Sequence, residues 1–123
     1  AEAAPSQAPS GLNHAALADL EKLGGKDFVE EVAAQFVSDA ALLLRSLAQA
    51  VEESDVAKFR DEAHALRSCS ANVGARSIYE LCLSWRAIGP QEFAAEGANH
   101  VAQLEREFVS ACEQLTPYLP KVA

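Results

Sequence analysis

A chain of 123 residues is long enough for one domain around a single core and too short for two. Half of the residues are apolar and only 7% are aromatic, a composition that favours helices over a sandwich or a barrel. With 10 basic and 18 acidic side chains the net charge is −8, which argues against nucleic-acid binding through a broad basic surface.

Residues 1–11 are small, polar and proline-punctuated, the composition of a flexible linker. Leu12, Ala16, Leu20 and Leu23 then predict a short first helix, closed by Gly24-Gly25 and placed to cap one end of a bundle. A long helix is expected from Asp27 to Glu53, with Val29, Val32, Phe36, Ala40, Leu43, Leu47 and Ala50 facing inward. Ser54-Asp55 offers an N-cap for the next helix, whose stripe is Val56, Phe59, Ala63, Leu66, Ser70 and Val73 and whose end is near Gly74. A fourth helix is expected from Ala75 to Ile88, with Ile78, Leu81, Cys82 and Trp85 inward, stopped by Gly89-Pro90. The last runs from Gln91 to Thr116 on Phe93, Gly97, Val101, Leu104, Phe108, Cys112 and Leu115, and Pro117 ends it. Gly97 inside this helix points to close packing or a slight bend. Short connections force neighbours antiparallel, so the expected fold is all-α: an up-and-down four-helix bundle with a short additional N-terminal helix over residues 12–119, and a tail at 120–123.

His64 lies one residue off the buried stripe of its helix. Its neighbours three and four positions away are Arg60, Asp61, Arg67 and Ser68, which share its outward face. A neutral imidazole is a usable nucleophile near neutral pH, and cationic neighbours favour that neutral form. Arg60 and Arg67 would hold an attached phosphoryl group by charge-assisted hydrogen bonds. Ala65, Ser68 and Ala71 leave clearance for a docking protein. The pattern suits an imidazole that carries a phosphoryl group; the plainer alternative is a solvated histidine on a helix that only docks a partner.

The run His64-Ala65-Leu66-Arg67-Ser68-Cys69-Ser70-Ala71-Asn72-Val73-Gly74-Ala75 resembles the signature of histidine phosphotransfer (HPt) domains, His-x-Leu-Lys-Gly-Ser-Ser/Ala followed by a short spacer and Gly-Ala. His64, Leu66, Ser70, Gly74 and Ala75 match, Arg67 stands for the lysine, and Leu81-Cys82 is similar to a Leu-Cys pair on the family's next helix. Ser68 replaces the family glycine, at the rim where a partner docks, and Cys69 replaces a serine. The resemblance implies a phosphorelay between receiver domains through phosphorylated His64, with no kinase activity and no cofactor in this module, any magnesium coming from the receiver. It also implies an origin as the C-terminal module of a bacterial hybrid sensor kinase, tethered to the membrane with this domain in the cytoplasm.

Other features carry plainer readings. Arg86, on the helix after that of His64, is a candidate third cation for the phosphoryl group, with a surface role as the alternative. His14 is read as solvated, His100 as a boundary residue and Trp85 as core. Cys69, Cys82 and Cys112 form no Cys-x-x-Cys pair and are read as reduced core residues rather than zinc ligands. Asp61-x-x-His64 occurs once and faces outward, so no di-iron site is expected. No apolar run is long enough to span a membrane, Leu42-Leu43-Leu44 being interrupted by Arg45, and no secretory signal is present. With no methionine in it, the chain is expected to be a portion of a longer polypeptide.

Overall fold

The computed structural model describes residues 12–119; the expected linker (1–11) and tail (120–123) lie outside the described residues. Four helices follow one another, α1 (His14–Glu53), α2 (Val56–Val73), α3 (Arg76–Ser84) and α4 (Pro90–Leu115), and a 3-10 turn, Thr116–Tyr118, ends the described chain. Helix α1 packs on α2 and α4, and α3 packs on the same two, which closes the antiparallel bundle.

Helix α1 comprises the two helices expected before residue 54, which meet at a kink. Gly25 alone leaves helical geometry (φ 85°, ψ −179°), so the chain kinks there and resumes the helix without an intervening loop. The N-terminal arm still caps the bundle as expected. Leu17 is fully buried, Leu12 bridges to Ala75, and the Asn13 N–H donates to the Gly74 carbonyl at 2.6 Å. In the long arm the buried line is Val29, Ala33, Phe36, Ala40, Leu44, Leu47 and Ala50. Val32 and Leu43, expected inward, sit half-buried at its edge.

Ser54 closes α1 in the left-handed region (φ 55°), and the Asp55 carboxylate caps α2 by accepting the Lys58 N–H at 3.0 Å. The stripe of α2 is buried as expected from Phe59 through Ala63, Leu66 and Ser70 to Val73, with Val56 half-buried. Helix α3 is shorter than the sequence suggests. It ends at Ser84, and the expected continuation to Ile88 is replaced by successive tight turns in which Arg86 N–H donates to Leu83 O and Ile88 N–H to Trp85 O. Trp85 and Ile88 are both buried in the core through those turns. Helix α4 buries Phe93, Gly97, Val101, Leu104, Ala111 and Leu115, while Phe108 and Cys112 are half-buried. Gly97 does mark a close approach: a Cβ there would lie 3.3 Å from Val51 Cγ2.

The three thiols are free, with Cys82 buried and Cys69 and Cys112 half-buried. Burial pushes the Cys82 thiol up to about 12, with Cys69 adding to the rise and Arg67 opposing it. Burial and then the Asp39 carboxylate raise Cys69 to about 11, and burial also raises Cys112. The folded state therefore binds these protons more tightly than the unfolded chain. The stability they hold is full below the ordinary value of 9.0 and is lost as the pH climbs toward 11 to 12. The urea midpoint of the wild type is expected to fall more between about pH 8 and pH 10.5 than that of Cys82→Ala; parallel urea titrations check it.

Gly74 turns α2 into α3 at φ +70°, and a Cβ there would lie 2.9 Å from both the Ala16 Cβ and the Asn13 carbonyl oxygen. Gly74→Ala meets a left-handed backbone, which costs about 1–2 kcal/mol, and overlaps the capping arm as well. A loss of stability above about 2 kcal/mol is expected in equilibrium unfolding, with the arm's amide protons exchanging faster.

Candidate functional site

The one-sided burial of α2 places His64. Ala63 before it is 1% exposed, whereas His64, with Asp61, Ser68, Ala71 and Asn72, stands on the solvent face. One turn along the same face the half-buried Arg67 reaches back, and its Nη2 donates to His64 Nδ1 at 3.0 Å. Among the described residues no protein group bonds Nε2, which remains open to solvent. Beside the imidazole Ala65 is half-buried and Ser68 and Ala71 are exposed. Ser68 bonds neither His64 nor Arg67, and Cys69 turns partly inward, its thiol donating to the Leu66 carbonyl at 3.5 Å.

Of the two arginines expected at the imidazole, Arg60 bonds elsewhere, and the candidate Arg86 keeps a surface role. Arg60 turns away from the imidazole and donates to the Ile88 carbonyl at 2.9 Å in a half-buried setting. The cause is the early end of α3. Helix α4 begins its bonding at the Gly89 carbonyl, which accepts the Phe93 N–H, so the carbonyl of Ile88 lies outside both helices. Arg60 satisfies it, at the cost of the role expected from sequence. Arg86 is exposed and its Nη1 donates to the carbonyl of Leu83, three residues back, at 3.3 Å. Arg67 is thus the cation that the structure brings to His64.

The remaining histidines have structural surroundings. His14 is exposed, with Nδ1 3.3 Å from the Tyr118 hydroxyl. His100 stacks on the buried Trp85 ring (centroids 4.6 Å apart) and pairs through Nε2 with Glu92 at 3.1 Å. Neither approaches His64 in the contacts described. Sequence spacing had no means of finding the Arg60–Ile88 bond, since it depends on where α3 stops; Gly89-Pro90 was the signal nearest to it.

A groove of about 730 Å³ opens beside the C-terminal part of α2, lined by Leu20, Phe28, Val32, Asp39, Cys69 and Asn72 among others, and neither His64 nor Arg67 borders it. The imidazole instead stands on a convex helix face. Such a face suits contact with another protein rather than enclosure of a small molecule. Among the described residues no three His, Cys, Asp or Glu side chains gather to hold a metal, and no helix is long and apolar enough to cross a membrane.

A family profile described as "Hpt domain" matches residues 31–115, which contain α2, α3 and the whole of α4. The chain belongs to the Hpt domain family. Two plant relatives from Arabidopsis thaliana are histidine-containing phosphotransfer protein 2, 32% identical over 74 residues, and histidine-containing phosphotransfer protein 5, 32% identical over 73 residues. The matches cover 55% and 57% of this chain but 47% and 46% of the relatives, so the chain spans about half the length of those proteins. The fold of this Hpt domain is shared with the crystal structure of histidine-containing phosphotransfer protein B from Pseudomonas aeruginosa PAO1, at a TM-score of 0.80 and 24% identity over 89% of this chain and 95% of that one.

Because Arg60 serves a backbone carbonyl, Arg60→Met is expected to cost stability and spare the imidazole. Loss of a charge-assisted bond in a half-buried setting is worth about 1–2 kcal/mol. Urea denaturation checks the loss, and unchanged His64 side-chain resonances check the rest.

Proposed function

We propose that His64 accepts a phosphoryl group from an aspartyl phosphate on a receiver domain and hands it to the aspartate of another receiver. Membership of the Hpt family supports phosphotransfer in phosphorelay signalling. The observation that carries the residue assignment is the exposed imidazole with a guanidinium 3.0 Å from one nitrogen and the other nitrogen free. In the forward step an imidazole nitrogen lone pair forms the bond to phosphorus. The bond from phosphorus to the carboxylate oxygen breaks, and its electron pair stays on the carboxylate. Little is asked of this domain beyond position and charge stabilisation, since the receiver brings the aspartate and the metal its chemistry uses.

Arg67 stabilises the carried group; Ala65, Ser68 and Ala71 form the docking rim. On this reading the domain is a phosphoryl carrier rather than a kinase, and it holds no cofactor of its own. Its parent is a hybrid sensor kinase, with this domain at the C-terminal end and tethered on the cytoplasmic side of the membrane. The proline-punctuated composition of residues 1–11 supports such a tether.

Phosphoryl transfer from a panel of aspartyl-phosphorylated receivers tests the assignment. Label is expected on the wild type, released by mild acid, and absent from His64→Gln. Arg67→Ala is expected to accept label about tenfold more slowly, equivalent to about 1.4 kcal/mol for one charged contact at an exposed site. If a receiver binds the wild type and none labels it, the domain is an interaction module and His64 is only part of its surface.

A further inference from the structure

The bond between Arg67 and His64 fixes more than the position of a cation. A guanidinium has five N–H donors and no acceptor, and it does not lose a proton in proteins. Nδ1 of His64, 3.0 Å from Arg67 Nη2, must therefore offer its lone pair. A neutral imidazole has one N–H, which is then on Nε2. Nε2 is the nitrogen that faces solvent without a protein partner among the described residues. The ring is held with its proton on the reachable nitrogen and its lone pair behind an arginine. In that state the outward nitrogen has nothing with which to attack phosphorus.

We propose that Arg67 is a tautomer latch: bonded to Nδ1 it keeps the His64 proton on Nε2, and its transfer to an incoming phosphoryl group frees Nε2 for attack. The first half stands on the geometry alone; the second rests on the carrier reading of His64. When Arg67 leaves Nδ1, Nε2 gives its proton to water and Nδ1 takes one from water, so the ring remains neutral. The Nε2 lone pair then forms the bond to phosphorus while the carboxylate leaves with the electrons of the broken phosphorus–oxygen bond. As long as Nδ1 carries a proton it is a donor and repels the guanidinium. The phosphoryl oxygens are then the acceptors within reach of Arg67. Its two positions are mutually exclusive, which couples arrival of the phosphoryl group to activation of the nucleophile. Arg67 is in this respect a positioning residue as well as a phosphoryl contact.

The test reads the ring before any donor is present. In the ¹⁵N-labelled full chain at about pH 8, where an ordinary histidine is neutral, two-bond proton–nitrogen correlations report each imidazole nitrogen, and His64→Gln identifies the pair that belongs to this residue. The expected wild-type pattern is a pyrrole-type Nε2 and a pyridine-type Nδ1, well separated. In both Arg67→Gln and Arg67→Ala, with folding checked by circular dichroism, the two resonances are expected to draw together as the tautomers mix. A wild-type separation equal to that of the variants, or a pyrrole-type Nδ1, overturns the latch. Phosphoramidate, which needs no docking, is then expected to place phosphorus on Nε2, seen as a one-bond phosphorus–nitrogen coupling, and to shift the Arg67 side-chain resonances. Coupling at Nδ1 overturns the release step. Failure of phosphoramidate and of every receiver to label the wild type removes the carrier reading and the release step together, and the tautomer result is read independently of both.

Discussion

One-sided burial of α2 is the constraint on which the rest of the molecule depends. Phe59, Ala63, Leu66, Ser70 and Val73 turn one stripe of that helix into the bundle, and burial of each large member contributes about 1.5–3 kcal/mol. Small residues alternate with large ones along this line, so the neighbouring helices can approach closely without a void. The stripe fixes the rotation of α2 about its own axis. Once that rotation is set, His64 directly after Ala63 faces solvent, and Arg67 one turn away lies half-buried on the same side. The capping arm of α1 secures the other end, since Asn13 and Leu12 bond the Gly74-Ala75 turn directly. The position of the imidazole is therefore a product of the core rather than of local contacts at the surface.

Competition for acceptors then decides which arginine serves His64. Arg60 and Arg67 lie four residues before it and three after it, and both spacings bring side chains onto one helix face. They differ in what else is within reach. A carbonyl stranded between α3 and α4 in a half-buried setting costs more when left unpaired than an imidazole nitrogen that water can solvate. Arg60 goes to the carbonyl of Ile88, and Arg67, without a comparable rival, goes to Nδ1. Arg86 is drawn similarly to the carbonyl of Leu83.

Much of this was legible in the sequence, and the part that was not has a physical cause. The buried stripe of α2, the exposure of His64 and the cap at Asp55 follow from three- and four-residue spacing and from side-chain chemistry, both local properties. The turn at Gly74 is local too, because its positive φ suits glycine. Gly24-Gly25 is a local signal as well, and Gly25, at φ 85° and ψ −179°, does separate two helical runs at a kink. The edge of the α1 stripe was misjudged by one position at Val32 and Leu43. A helix packed against two partners buries a wider face than spacing alone can centre. The end of α3 lies four residues before the expected one: Trp85 and Ile88 keep the helical spacing and are buried, but the chain reaches them through turns, which spacing cannot distinguish from a continued helix. That error propagated to Arg60, whose partner exists only because α3 stops early.

The bonding of Arg60, and of the candidate Arg86, to backbone carbonyls has a consequence for a carrier. A group that must be passed on cannot be held too well, since any stabilisation of the phosphorylated state adds to the barrier for giving it up. Two further charge-assisted contacts would deepen that state by about 3 kcal/mol or more, roughly a hundredfold in the partition between this domain and its partners. With Arg60 and Arg86 committed to backbone carbonyls, the proposed phosphoryl site keeps one cation of its own on a chain whose net charge is −8. On the proposed function, most of the charge compensation during transfer comes from the docked receiver and departs with it. The arrangement favours exchange over storage, which is what a relay between two aspartates requires of the histidine in the middle.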